Sequence, residues 1–148
     1  MKTSINVTRI ALWASRLVSV VLFGLLFALP FLLDWYATVR TLSSAEHTAI
    51  MVAFYICAAA AFLALAAMDR MLQSILSGEV FIRKNVHRIR IIQWCSAAIS
   101  LVCIPAAFIY YPLIFMVVIM GFLALTVCVL CRVMHEAVKI REENDLTI

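Results

Sequence analysis

IIQWCSAAISLVCIPAAFIYYPLIFMVVIMGFLALTVCVLC runs from Ile91 to Cys131 without one charged residue. A helix crossing the hydrocarbon core of a bilayer needs about 20 apolar residues, so this stretch holds two crossings. Pro112 alone separates Ile91–Tyr111 from Leu113–Cys131, which predicts a tight helical hairpin. The runs are continuously apolar, whereas a barrel strand alternates, so strands are excluded.

Two more spans lie upstream. Thr48–Met68 is uncharged, and Leu17–Leu33 extends back past Arg16 to about residue 12. The reading is one all-α domain over 1–148, an integral membrane four-helix bundle with spans at 12–33, 48–68, 91–111 and 113–131. Composition agrees. The chain is 66% hydrophobic and 14% charged, with a mean hydropathy of +1.09. A soluble domain averages roughly 45–50% apolar and about 25% charged. The basic N-terminus resembles a signal peptide, but no small-x-small cleavage site follows its apolar run, so it is read as an uncleaved helix. All five cysteines sit inside apolar runs, which is no secreted disulfide framework.

Charge gives the direction of threading. Every Lys and Arg except Arg40 precedes or begins span 1, joins spans 2 and 3, or follows span 4. The positive-inside rule then places both termini, the hairpin 69–90 and the tail 132–148 in the cytoplasm. Trp35, Tyr36, Tyr110 and Tyr111 mark one membrane face, and Trp13 and Trp94 the other.

Helices 2, 3 and 4 are expected to overshoot the lipid on that side. Leu72, Ile75 and Leu76 continue helix 2 to a stop at Gly78, and Ile82, Val86 and Ile89 open helix 3 near Arg83. Val133, Ala137 and Ile140 form a stripe on helix 4, with Arg132–Glu136 and Lys139–Glu143 as opposite-charge pairs. The result is a short cytoplasmic stub with a basic rim, facing anionic headgroups or a protein partner.

Other constellations read as packing. Cys128 and Cys131 form a CxxC, as in membrane thiol oxidoreductases, but at the cytoplasmic end and with no second pair in an outer loop. Arg16 lies near a span end, where a long side chain snorkels to the interface. No carboxylate falls inside a span, which argues against a proton-coupled exporter. His47, His87 and His135 have no metal-ligand spacing, and no cofactor motif occurs. Ala53, Cys57, Ala61 and Ala64 on helix 2, and Ser96 and Ser100 on helix 3, allow close helix approach within the bundle or against a second copy.

Two segments carry a family resemblance. GEVFIRKNVHRIRIIQW (Gly78–Trp94) and HEAVKIREENDLTI (His135–Ile148), flanked by four spans, resemble the bacterial membrane family catalogued as domain of unknown function twenty-nine seventy-five. The matching residues are Gly78, Phe81, Asn85, Arg88 or Arg90, Glu143, Asp145, Leu146 and Thr147. The resemblance implies a multi-pass protein of the bacterial cytoplasmic membrane and carries over no established catalytic residues. It also implies a gene neighbour encoding a small helix-turn-helix regulator. The expected function is therefore non-enzymatic binding of such a regulator, with no direct nucleic-acid contact and no cofactor. A small oligomeric transporter lined by Ser15, Ser19, Ser96, Ser100 and Thr126 is the alternative, and a thiol oxidoreductase the third reading. Partner or lipid contacts are expected at Phe81, Arg83, Lys84, Asn85, His87, Arg88, Arg90, Glu143, Asp145 and Leu146, with Phe81 plugging the stub and Asn85 capping helix 3 or forming the turn at its start.

Overall fold

The structure, a computed structural model, describes the backbone of residues 2–78 and 82–145 and the side chains of 6–78 and 82–144. Its helices are α1 (Lys2–Val39), α2 (Ser44–Leu76), α3 (Arg83–Ile109) and α4 (Ile114–Asp145). A 3₁₀ turn, Tyr111–Leu113, joins the last two around Pro112. All four α-helices are long and apolar enough to cross a bilayer. α1 packs on α2, α2 on α3 and α3 on α4. The up-down order puts both chain ends and the α2–α3 connection at one end, here called the basic end. The α1–α2 and α3–α4 connections form the other, the tyrosine end.

The ends of these helices have local causes. At the tyrosine end, Ser43 and Glu46 form a reciprocal capping box. The Glu46 N–H donates to Ser43 Oγ (3.2 Å) and the Ser43 N–H to Glu46 Oε2 (2.8 Å). This satisfies two of the amides that a helix start leaves orphaned. At the basic end, Gly78 has φ +84°, a left-handed conformation that side-chain-bearing residues disfavour. Its N–H donates to the Ile75 carbonyl (3.0 Å), closing α2 where Gly was expected to stop it. α1 begins at Lys2, about ten residues before its expected span, because no Gly or Pro interrupts the chain before Gly24. So α1 overshoots as well.

The interior differs along the bundle axis. Across the spans, large side chains point outward, and Phe108 is 88% exposed. Leaving one such Phe in water forfeits roughly 1.5–3 kcal/mol. Phe27, Phe31, Phe115 and Phe122 are similarly bare. Together their cost rivals the ~5–15 kcal/mol stability of an entire ordinary domain. The face is solvated by lipid, and the helices meet there through small residues. Ala53, Ala58 and Ala67 of α2 are buried, as are Cys95, Ser96, Cys103 and Ala106 of α3. The expected α2 face was Ala53, Cys57, Ala61 and Ala64; the buried line shares Ala53 and is otherwise rotated by about a position, leaving Cys57 half-buried.

At the basic end, from the last turn of span 4 outward, the packing changes to that of a water-soluble core. Val86, Ile89, Cys131 and Val138 are buried together, with Met71, Val127 and Met134 against them. Val86 and Ile89 were expected there. The α4 stripe was expected at Val133, Ala137 and Ile140; Ala137 is partly buried, but Val133 and Ile140 are more than half exposed, and α4 buries Cys131 and Val138, with Met134 partly buried against them. Those residues fall at i, i+3 and i+7 and continue the line of Val127 inside the span. Once α4 faces α3 through Val127, helical periodicity leaves no other face for the stub.

Candidate functional site at the basic end

α3 enters the bundle through Ile82, whose extended backbone makes it the N-cap. Asn85 was expected as the cap and is instead three residues inside the helix. It is the most buried polar side chain described, at 1% exposure. A buried amide without partners costs about 1–3 kcal/mol, so its contacts matter. Its Oδ1 accepts from Arg88 Nη1 at 2.9 Å. The same Nη1 donates to the Arg70 carbonyl at 2.8 Å, tying α3 to the last turns of α2. Asn85 is thus an internal strut that orients a guanidinium.

Arg83, one turn earlier, faces α4. Its Nε and Nη2 reach Glu142 Oε1 and Oε2 at 2.8 and 2.7 Å, a bidentate pair. The hydrogen bonds from Arg83 hold the Glu142 carboxyl below its ordinary range, and those to Glu142 raise the guanidinium. This pair crosses helices. The expected Arg132–Glu136 pair along α4 is absent among the described residues.

Between α2 and α3 lies a groove of about 580 Å³ lined by Leu63, Ala66, Ala67, Arg70, Arg83, Lys84, His87, Arg88 and Ile91. Leu63, Ala66, Ala67 and Arg70 on α2, and Lys84, His87, Arg88 and Ile91 on α3, follow i, i+3, i+4, i+7 spacing, so one face of each contributes, with Arg83 at its edge. Arg83, Lys84, His87 and Arg88 are therefore brought together, while Arg90 is exposed outside the groove lining. Glu143 is exposed near the end of α4 and makes polar contact of its own. Phe81, Leu146 and Thr147, and the side chain of Asp145, lie outside the described residues, so the plug at Phe81 has no structural counterpart here.

Arg16 finds a partner as well as an interface. Its Nε lies 3.9 Å from Oδ2 of Asp69, which sits one residue past the expected end of span 2. Ser15 beside it is buried, with its hydroxyl unpartnered among the described residues.

Apart from Ser15, the hydroxyls offered as a solute path are turned to the backbone. Ser19, Ser96 and Thr126 each donate to the carbonyl four residues earlier on their own helix. Ser100 donates across to the Val117 carbonyl at 2.9 Å, where Gly121 lets α3 and α4 approach. In the CxxC, Cys131 is buried with its Sγ 3.8 Å from the Val86 carbonyl. The two thiols that the fold brings near each other are Cys57 and Cys103, 3.8 Å apart between α2 and α3. Among the described residues no three His, Cys, Asp or Glu gather as a metal site.

At the tyrosine end, Tyr36 and Tyr110 meet hydroxyl to hydroxyl at 3.3 Å, and the Arg40 guanidinium lies 5.9 Å over the Tyr110 ring. His47 Nε2 is 3.6 Å from Asp34. The belt pattern put these tyrosines on one face but did not pair them. The Ser43–Glu46 box was readable as S-x-x-E and went unnoticed.

No curated protein and no solved structure matches the chain. From residue 43 to 148 it matches the family described as protein of unknown function (DUF2975). That match starts at the N-cap of α2 and takes in α2, α3, α4 and the whole basic groove, with α1 outside it. The chain belongs to the DUF2975 family.

Proposed function

We propose that this protein is a non-enzymatic, multi-pass protein of a bacterial cytoplasmic membrane whose basic end faces the cytoplasm and docks a protein partner. The partner that the family resemblance favours is a small helix-turn-helix regulator, held at the membrane by this contact. One observation carries the reading. The polar surface is concentrated at one end, on helices that run past the lipid and are braced by their own core, the Asn85–Arg88–Arg70 strut and the Arg83–Glu142 bridge. A topology signal needs only loose cations in a loop. A packed stub is a surface of fixed shape, which is what recognition requires.

Four of the five in-span hydroxyls, those of Ser19, Ser96, Ser100 and Thr126, bond to backbone carbonyls, so packing accounts for them without a transport path. The probe is a small helix-turn-helix regulator of the kind that the family resemblance implies as a gene neighbour. It should co-purify with the full chain from solubilised membranes and lose that association when residues 77–82 are replaced by a neutral linker. A regulator that stays soluble while this protein is abundant in the membrane sinks the proposal.

A further inference from the structure

The groove between α2 and α3 has an order along its length. Arg88 bonds to the Arg70 carbonyl, so these two residues share one level. Moving toward the spans, α2 presents Ala67, Ala66 and then Leu63, about 10 Å beyond Arg70 at 1.5 Å per residue. α3 presents Ile91 in the same direction. Moving outward, α3 presents His87, Lys84 and Arg83. Cationic groups therefore occupy the outer half, and an apolar floor continues into the membrane-crossing part.

Two acids near the groove, among the described residues, are engaged elsewhere. Glu142 is held by Arg83, and Asp69, beside Arg70 in sequence, faces Arg16. The Arg70 and Lys84 side chains have no ion pair among the described residues. Arg88 is fixed by Asn85 and the Arg70 carbonyl, both neutral acceptors, and has no ion pair among the described residues. The positive end of the α3 dipole lies at Arg83 and adds to the same field. A soluble ligand matches the outer half only; an amphiphile with an anionic head and an alkyl chain matches both.

We propose that this groove is a binding site for an anionic glycerophospholipid. Its phosphodiester sits among Arg70, Lys84 and Arg88, and one acyl chain runs along Leu63, Ala66 and Ile91. The site joins α2 to α3 at the membrane boundary and makes occupancy depend on headgroup charge. This goes beyond partner docking and stands without it.

Native mass spectrometry of the full-length protein, released from vesicles of phosphatidylglycerol and phosphatidylcholine, reads the site directly. The expected result is one phosphatidylglycerol retained in preference to phosphatidylcholine. The double variant R70Q/K84Q should retain it at least about tenfold less, since each boundary cation contributes to anionic-lipid attraction. R132Q/K139Q, with the same change of net charge on α4, should retain it as the parent does. Soluble glycerol 3-phosphate should not displace it. Equal retention of the two lipids, or equal loss in both double variants, would overturn the proposal. So would displacement by glycerol 3-phosphate, which would reduce the groove to a headgroup-only phosphate site.

Discussion

The two ends of the bundle handle charge in opposite ways. At the tyrosine end the sole cation, Arg40, lies over Tyr110, next to a tyrosine pair and a capped helix start. Its polar groups are consumed by closing two short connections. At the basic end, Arg70 and Lys84 line an open groove without ion pairs among the described residues, over a core of Val86, Ile89, Cys131 and Val138. The difference teaches that the helical overhang is a separate structural unit. Lipid supplies the solvent for the spans, whereas the overhang must exclude water with its own packing.

If that contrast is right, the largest effects belong to the overhang core. Ile89→Ala removes a buried side chain from a water-facing cluster and should cost about 2–4 kcal/mol. Thermal unfolding in detergent measures it. Ile104→Ala, at a half-exposed position inside a span, is the comparison and should cost far less. Equal losses at both sites would erase the distinction between the two interiors.

Asn85→Ala ranks next, at about 1–3 kcal/mol, because it leaves a small void and takes a partner from Arg88. The same variant should also loosen α2 from α3 at the basic end, read as faster amide exchange near Arg70. Gly121→Ala follows. A methyl there would sit 3.3 Å from Ser100 Oγ, so the hydroxyl must give way or lose its bond to Val117. A loss of about 1 kcal/mol is expected.

The smallest effect is the exposed Arg83–Glu142 bridge, which salt screens. Glu142 is held below its ordinary value, so its contribution is complete at neutral pH and starts to fall once the pH drops into the ordinary glutamate range. It disappears as the pH falls through the lowered value. The unfolding temperatures of the parent and Glu142→Gln should therefore differ slightly at neutral pH and converge in acid. A gap that widens on acidification would contradict the pairing.

Much of this architecture was legible in the residues. Uncharged runs gave the spans, Pro112 the hairpin, and Gly78 the end of α2, because each reflects a local constraint that context cannot override. The groove was partly legible: Lys84, His87 and Arg88 stood out as basic, but their convergence with Arg70 needs the pairing of α2 and α3. Asn85 was misjudged because Asn near a helix start usually caps, and only tertiary burial turns it into a strut. The α4 stripe was misassigned because two apolar lines, one through Val133 and one through Met134, run side by side. Sequence alone does not choose between them; contact with α3 does.

The central claim is that the basic end, with its groove and core, faces the cytoplasm. A reporter tag after Ile148, compared with one inserted between Thr41 and Leu42, tests it in intact cells with a membrane-impermeant label. The account predicts labelling at 41–42 before permeabilisation and at the C-terminus only after it. The reverse pattern would put the docking surface on the wrong side of the membrane and contradict the proposal.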